Sequence, residues 1–522
     1  MLKGTVLTMF VASLSCAGAF AQTSTTGNGP CSVQSSKLAC VLPEQYGTNG
    51  AFNEVLHPVG GHAFHFINDF NNTLEPLTED IGRQANLIPL ASPSSGVILV
   101  YDPSLKTLVT GSDSLGPVLG ERAETVGRHH LFVGFSYQFV NFNKLDGVNL
   151  LNFPTVLTHT DDNRDNSTAT NIVNCSINTT LNLNGCAFVR DRIDSVNSIS
   201  LKESQYTTYV TFGLLKNLDL SIVIPIEDVR LDVVSQDSIV LGSNGFEAIS
   251  PGTPDASAKN QNQTNTNGAP YFFHLFKNCP NTSPAGGAGA LDPSCLNHTF
   301  PDPSFTDAGS APKNAANGLG DIVTRVKWNA WEGEHAGFAA GMDVRFPTGD
   351  ALDYLGSGSY GFKPFAVFSY RWIISPHALI GYEWNSDSIT AGSLLSNVKG
   401  KVPNDFVYTV GADARFTKWL TGAFDIVGQR VFGSETVAIT NQQFLANCGA
   451  CTANPTPATV TQQSLQTTPN VDYNITSASL GLKARPFHSF SKLVFTANVL
   501  LRLDDGGLRS KAAPLVGVGY TF

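Results

Sequence analysis

Asp405–Phe416 reads Asp-Phe-Val-Tyr-Thr-Val-Gly-Ala-Asp-Ala-Arg-Phe, and its side chains alternate in character. Every even-numbered position is apolar, whereas the odd-numbered positions include Asp405, Asp413 and Arg415. Successive side chains of a β-strand point to opposite faces, so this period of two predicts a strand with one apolar and one polar face. Such a strand fits a soluble β-sandwich or a transmembrane β-barrel equally well.

The same alternation recurs along the chain, for example over residues 131–139, 338–346 and 493–501. Counting these segments predicts twelve strands, which begin near residues 128, 192, 218, 319, 336, 362, 378, 403, 419, 472, 490 and 511. Segments Val97–Asp102 and Leu105–Thr110 would add a hairpin and raise the count to fourteen. Either number is even, which places both chain ends on the same side of a barrel.

The connections between these segments decide between sandwich and barrel. Short and long connections alternate, as in outer-membrane barrels with short periplasmic turns and long extracellular loops. Four tryptophans lie near the short connections, where an interfacial aromatic belt is expected: Trp328, Trp331, Trp372 and Trp419. We therefore predict an all-β fold, a transmembrane antiparallel β-barrel. Short connections are expected near 216–218, 332–335, 375–377, 417–418 and 488–491, and long ones near 143–189, 241–318, 347–361, 391–403 and 441–471.

Both ends of the chain point to the outer membrane. Residues 1–21 combine Lys3, an apolar stretch and Ala19-Phe20-Ala21, which is typical of a cleaved secretory signal. The last strand alternates Val516, Val518, Tyr520 and Phe522 with small or polar residues and ends on an aromatic residue. This end resembles the strand by which the barrel assembly machinery recognises its substrates, so that machinery is an expected partner. The alternative is an ordinary final strand.

The composition excludes several classes of protein. Only 14% of the residues are charged, against roughly 25% in typical soluble domains. Beyond the N-terminus no run approaches the ~18 apolar residues of a spanning helix, which excludes a helical membrane protein. The net charge of -10 does not favour binding to the negatively charged phosphates of a nucleic acid. Membrane lipid is the expected surrounding, and nucleic acid is not an expected partner.

Eight cysteines remain after the signal region, and they form four neighbouring pairs. In an exported chain an even count at close spacing indicates disulfides. The expected pairs are Cys31 with Cys40, Cys175 with Cys186, Cys279 with Cys295, and Cys448 with Cys451. A redox role for the last pair is the alternative, although no thioredoxin-like pattern surrounds it.

Residues 22–127 precede the predicted barrel, which comprises residues 128–522. This region is too long for a simple tail, and we expect it to plug or line the lumen. Its end carries the charge cluster Gly120-Glu121-Arg122-Ala123-Glu124, which could pair with the barrel wall. A solvated periplasmic stretch is the alternative.

The polar faces of the predicted strands carry many charges, which need water or partners because an unpaired ion in a dry interior is costly. We expect these charges to face a lumen wide enough for one small solute. The lumen-facing candidates are Asp321, Arg325, Lys327, Asp343, Arg345, Lys363, Arg371, Glu383, Asp413, Arg415, Asp425, Lys483, Arg485 and Arg502.

Catalytic and cofactor signals are weak. Gly356–Gly361 fits the G-x-G-x-x-G pattern, but it lies between alternating strands and not at the start of a helix. His57, His62 and His65 match no metal site, and no histidine stands beside a serine on a strand face. We expect no enzyme activity, no cofactor and no metal.

Short motifs of the second half resemble a known family. Gly318-Leu319-Gly320-Asp321 is followed by a strand that ends in Pro347-Thr348-Gly349-Asp350, then by Leu355-Gly356-Ser357-Gly358 and by Gly381-Tyr382. This order resembles the outer-membrane family associated with the meta-pathway of phenol degradation, over roughly residues 205–522. The resemblance implies a barrel that moves aromatic or other hydrophobic compounds, by analogy with fatty-acid and toluene channels. It identifies no binding residue.

The expected function is therefore passive transport of a small solute across the outer membrane. Two alternatives remain at this level. A structural or adhesive surface protein would use the long Asn- and Thr-rich loops and conduct nothing, and an outer-membrane hydrolase would need a nucleophile beside a base.

Overall fold

The computed structural model describes residues 29–31, 36–42, 54–57, 77–78, 80–82, 99–102, 107–110, 114–158, 192–240, 246–247, 271–276, 296–300, 314–394, 397–445, 459–487 and 492–522. Among these residues no helix is long and apolar enough to cross a bilayer.

Twelve long antiparallel strands form a closed barrel, as the alternation predicts. Each strand pairs with the next one along the chain, and the last pairs with the first through Thr521 and Phe132. The strands are β1 Leu131–Leu145, β2 Arg192–Leu215, β3 Leu218–Val240, β4 Ile322–Glu332, β5 Ala336–Phe346, β6 Gly361–Tyr370, β7 Ile374–Asn385, β8 Asn404–Thr417, β9 Leu420–Leu445, β10 Thr459–Ala484, β11 Leu493–Arg502 and β12 Ala512–Thr521.

Shorter elements surround this ring. Val148–Asn149, Phe153–Thr158, Asn297–Phe300, Ala315–Leu319 and Leu508–Ser510 add to its rim. Glu54–His57, Tyr271–Phe276 and Phe246–Glu247 form one separate sheet, and Asp387–Ser393 with Val398–Lys401 forms another. Single 3-10 turns span Leu38–Cys40 and Ala351–Asp353.

The hairpin predicted over residues 97–110 forms, but outside the barrel. Leu99–Asp102 pairs with Thr107–Thr110 in a two-stranded sheet of its own. The count of fourteen barrel strands is therefore wrong, because local alternation identifies a strand without identifying the sheet that it joins.

The outer face of the barrel carries an apolar band, which strand β3 illustrates. Outward positions 218, 220, 222, 224 and 226 are Leu, Leu, Ile, Ile and Ile, and the charged Asp228, Arg230 and Asp232 follow on the same face. A transmembrane strand needs about 9–11 residues, so the first half of β3 crosses the bilayer and the rest projects beyond it. The other strands carry apolar outward residues at the same level. The barrel is an outer-membrane protein.

Two sequence-based boundaries are wrong. The loop predicted over 441–471 is mostly strand, since β9 and β10 each have 26 residues and pair as far as Leu445 and Thr459. Their upper parts are rich in Thr and Gln, so they lack the apolar face that marks a strand inside the membrane. The turn predicted at 375–377 lies instead at 371–373, because Pro376 is the third residue of β7, near a strand end where its missing N–H matters least.

Candidate functional site

Residues 114–126, which we call the strap, lie inside one end of the barrel. All thirteen of these residues are buried. The strap lies at the short-turn end of the barrel, where turns 216–217, 333–335, 371–373 and 418–419 are found. It bonds to Lys327 on β4 and to Lys483 on β10, two strands that lie six positions apart in a ring of twelve and thus opposite each other. The strap therefore crosses the lumen.

Lys327 is the centre of the strap's contacts with β4. Its Nζ donates to Glu121 Oε1 at 2.8 Å, to the Glu124 carbonyl at 2.7 Å and to the Arg122 carbonyl at 3.1 Å. All three ammonium protons have acceptors, and the residue is 0% exposed. Two residues along β4, Asn329 Nδ2 donates to the Ala123 carbonyl at 3.0 Å. The strap backbone thus takes the place of water for a buried cation.

Arg325 joins the strap to the barrel wall. Its guanidinium binds both carboxylate oxygens of Asp343, at 2.6 and 2.8 Å, and also Glu121 Oε2 at 2.8 Å. Bidentate pairing of this kind is the strong form of an ion pair. The ring of Phe365 lies under the guanidinium, with its centroid 4.8 Å away.

On the opposite wall, Asp413 holds the start of the strap. Its carboxylate accepts from Ser114 Oγ and from the Arg122 guanidinium. Lys483 Nζ donates to the Pro117 carbonyl at 2.5 Å. Leu115 N donates to Thr421 Oγ1 at 2.9 Å. These contacts bond the strap to β8, β9 and β10.

Further bonds fix the end of the strap. Arg371 NH1 contacts Glu124 at 3.1 Å and Glu332 at 2.8 Å, and Val126 N donates to Asp219 at 3.0 Å. The strap is therefore bonded to strands around most of the barrel through side chains that the sequence pattern places on the inner faces.

Gly120 allows the strap to pass His377 and Asp425. A Cβ at this position would lie 2.8 Å from Asp425 Oδ1 and 2.7 Å from the His377 ring carbon Cδ2, closer than real Cβ atoms come. The two wall residues bond to each other, with His377 Nε2 2.6 Å from Asp425 Oδ1. A glycine is required here by the close approach of the backbone to the wall.

A ladder of alternating charge runs across the inner wall at mid-height. Asp343 on β5 pairs with Lys363 on β6 at 3.1 Å, and Lys363 lies 3.8 Å from Glu383 on β7. Arg345 contacts the same glutamate at 3.3 Å and Asn385 at 2.6 Å. The predicted charges at these positions are thus cross-paired between neighbouring strands.

The motif residues of the 318–358 region come together at the other end, which we call the long-loop end. Asp321 accepts from Ser357 N at 2.8 Å, Ser357 Oγ at 2.6 Å and Gly349 N at 3.1 Å. Thr348 Oγ1 donates to the Gly320 carbonyl at 2.7 Å. Loop 347–360 is therefore bonded to the start of β4. The motif residues hold this loop in place, so their pattern is explained by a structural role and not by a nucleotide site.

An N-terminal segment that is closed by a disulfide docks on this loop. Cys31 and Cys40 form the predicted disulfide, and Lys37 Nζ contacts Asp350 at 2.5 Å and Asp353 at 3.0 Å. Burial lowers the pKa of Lys37, but the two carboxylates outweigh it and raise the pKa above its usual value. The predicted pairs of Cys175, Cys186, Cys279, Cys295, Cys448 and Cys451 lie outside the described residues.

The other lumen candidates lie at the barrel ends. Arg415 is exposed and occupies one of the inward-facing positions in the alternation of β8. Arg502 pairs with Asp505 at 3.3 Å in a turn at the long-loop end. Arg485 lies just beyond β10 and donates to the Lys418 carbonyl at 3.2 Å. Sequence reasoning missed Ser114, Lys37 and the role of Gly120, because none belongs to a periodic segment. Of the histidines His57, His62 and His65, the last two lie outside the described residues, and the described residues contain no cluster of three or more potential metal ligands.

Residues 252–435 match a protein family described as "Putative MetA-pathway of phenol degradation". The match confirms the resemblance predicted from the sequence, although it covers a shorter part of the chain than the predicted 205–522. All four quoted motifs lie inside it. Among curated proteins, none matches the chain.

Several solved structures are similar to this chain. An outer-membrane channel from Pseudomonas putida F1 has a TM-score of 0.39 at 9% identity, covering 77% of this chain and 98% of its own. The Pseudomonas putida toluene transporter TodX has a TM-score of 0.23 at 7% identity, with 84% and 96% covered. A Pseudomonas aeruginosa FadL homologue has a TM-score of 0.24 at 10% identity, with 82% and 94% covered.

Proposed function

We propose that this outer-membrane β-barrel is a channel that admits small aromatic or other hydrophobic solutes, and that the strap sets its closed state. The observation that carries the proposal is the two-part inner wall. The strap and the charged side chains that hold it fill the short-turn end, whereas toward the long-loop end the inner faces of β1 to β3 carry buried apolar side chains among polar ones such as Asn197 and Asp237.

The apolar part supports the choice of solute. Phe142, Leu201, Val229 and Leu231 are buried on the inner faces of these strands, beyond the level of the apolar band on the outside. Inward-facing apolar side chains are unusual above the membrane of a water-filled porin, whose interior is polar. They make this part of the inner wall apolar, which supports a hydrophobic solute, and the family match favours aromatic compounds.

The charged part supports the proposal that the strap closes the lumen and can be displaced from it. The strap is held by hydrogen bonds and ion pairs of its own side chains and carbonyls, and it is not a strand of the barrel. Its displacement would leave the twelve-stranded ladder of backbone hydrogen bonds intact. A stable wall with a separately held obstruction is what a gated channel requires.

Conductance in planar bilayers tests the proposal. We expect the purified protein to conduct little, and Arg122→Gln to conduct at least several-fold more, because Arg122 bonds to Asp413 and Ser114. Arg128→Gln is the matched control, since Arg128 is exposed just beyond the strap. Proteoliposomes that contain Arg122→Gln should take up phenol faster than glucose. If neither protein conducts or takes up solute, a structural surface role is correct instead.

A further inference from the structure

Two glutamates are neighbours on the inner wall of β2 and β3 and are not among the residues that hold the strap. Gln205 lies opposite Glu227, and Glu203 lies opposite Val229, so the two glutamates are diagonal neighbours on one face. Long side chains reach across such a diagonal. Glu203 is 2% exposed and Glu227 is 5% exposed. The pair sits just above the apolar band of the outer face.

Each of these carboxylates keeps a buried oxygen without a partner. Oε2 of Glu203 and Oε2 of Glu227 have no hydrogen bond, and no ion pair among the described residues includes either glutamate. The neighbouring cations, Lys202 and Arg230, are exposed and belong to the outward parity of their strands. Two adjacent buried carboxylates without a counter-charge would each cost several kcal/mol, so something outside the chain's own side chains has to neutralise them.

The backbone at Gly320 approaches the Glu227 carboxylate closely. A Cβ on Gly320 would lie 2.6 Å from Glu227 Oε1 and 2.9 Å from Glu227 Cδ, so only glycine leaves this carboxylate in place. The Gly320 N–H does not serve the carboxylate, because it donates to the Pro225 carbonyl at 2.9 Å. Gln205 Nε2 makes only a long contact with Glu227 Oε1, at 3.4 Å.

The surroundings restrict which ligand could neutralise the pair. Leu201, Val229 and Leu231 flank the pair and are 0% exposed, so the enclosed position favours a small ion over an organic amine with its hydrocarbon part. The donor atoms are all oxygens, with no nitrogen or sulfur ligand nearby among the described residues. Oxygen-only sites of carboxylates and amide or backbone carbonyls select hard cations such as Ca²⁺.

We propose that Glu203 and Glu227 bind one divalent cation of the Ca²⁺ class on the inner wall of the barrel. One such ion neutralises both charges. Gln205 Oε1 and water would complete the six to eight ligands that Ca²⁺ takes. The ion would fix β2 to β3 above the membrane, where no lipid supports the strands from outside. With two protein carboxylates, affinity should lie in the weak extracellular range of about 10⁻⁴–10⁻³ M.

Equilibrium dialysis with radioactive Ca²⁺ tests this site. The full chain is refolded from inclusion bodies into detergent free of lipopolysaccharide, which itself binds Ca²⁺, and is stripped with EDTA. We expect about one ion per chain for the natural sequence, and at least tenfold weaker binding for E203Q/E227Q. D228N is the matched control, because Asp228 is the next residue but belongs to the outward face and pairs with Arg230.

A second readout separates lost binding from lost folding. Ca²⁺ should raise the thermal unfolding midpoint of the natural protein and of D228N, and leave that of E203Q/E227Q unchanged, while all three show the same heat-modifiable mobility of a folded barrel on gels. The proposal is overturned if the natural protein binds no Ca²⁺, or if E203Q/E227Q binds it as tightly. The first result would mean that the two carboxyls are neutralised by protons.

Discussion

Lys327 and Glu121 lie 206 positions apart in the chain, yet the lysine Nζ donates to the glutamate Oε1 at 2.8 Å inside the barrel. Both side chains are at most 2% exposed. This bond joins the segment before the first strand to the fourth strand, so the position of the strap depends on a tertiary contact that local sequence does not reveal.

Lys327→Met should lower the free energy of unfolding by about 3 kcal/mol, because it breaks a buried ion pair and leaves Glu121 Oε1 and the strap carbonyls of Arg122 and Glu124 without their donor. The measurement is equilibrium unfolding in guanidinium chloride, followed by tryptophan fluorescence. Lys418→Met, in an exposed turn, should change the value by less than about 0.5 kcal/mol. Equal effects of the two substitutions would contradict a special role for Lys327.

Gly120→Val should displace the strap and increase conductance without preventing barrel formation. The added side chain would overlap His377 and Asp425, and the strap can move whereas the closed ladder of strands cannot. Single-channel recording measures the effect. Gly318→Val, at the long-loop end where a Cβ would meet only the end of the Leu355 side chain, controls for loss of a glycine, and unchanged conductance of Gly120→Val would argue that the wall yields instead.

Cysteine labelling tests the assignment of inner and outer faces. In intact outer membranes Arg415→Cys should react with a water-soluble maleimide that enters from the lumen end, because Arg415 has the inward parity of β8. Ala414→Cys should stay unreacted in lipid, since a period of two puts neighbours on opposite faces. Both variants should react equally after denaturation. Equal labelling in the folded protein would show that the faces are misassigned.

Deletion of Phe522 should strongly reduce the amount of protein in the outer membrane. Phe522 N donates to the Leu131 carbonyl at 2.7 Å, and its ring packs against Tyr520 with centroids 4.8 Å apart, so the residue belongs both to the closing seam and to the predicted assembly signal. Quantitative immunoblots of membrane fractions measure the effect. Phe487→Ala, another exposed aromatic substitution, should assemble normally.

The three remaining cysteine pairs should form separate disulfides within their own loops. Closing a short loop costs little entropy, and the strands between the loops keep the pairs apart. Peptide mapping without reductant should yield Cys175 linked to Cys186, Cys279 to Cys295, and Cys448 to Cys451. A peptide that joins two different loops would overturn this pairing, and reduction should leave the barrel folded.

The barrel was predictable because the membrane imposes a strong pattern. Leu218 to Ile226 and Phe406 to Phe416 must present apolar side chains outward at every second position, so strand number and most boundaries follow from alternation. The upper parts of β9 and β10 escape prediction, since outside the bilayer either face can be polar. For the same reason the predicted loop over 441–471 is wrong.

The site was predictable only in part. Inward charges such as Asp343 and Arg345 follow from strand parity, and the cluster Glu121–Glu124 is visible as a charged segment before the barrel. What these charges contact depends on how a non-periodic segment crosses the lumen, and no local pattern encodes the meeting of Arg122 with Asp413. The role of residues 22–127 as a whole stays a prediction, as do the domain limits at residues 21 and 127.

The position of the strap has a consequence for the order in which the protein is built. The strap precedes β1 in the chain, yet it is bonded to β3, β4, β6, β8, β9 and β10 from within the ring. A peptide held from so many sides is difficult to thread into a cylinder that is already sealed. We expect the strap to be in place before the barrel closes, so that the nascent sheet curls around it and the seam between β12 and β1 forms last.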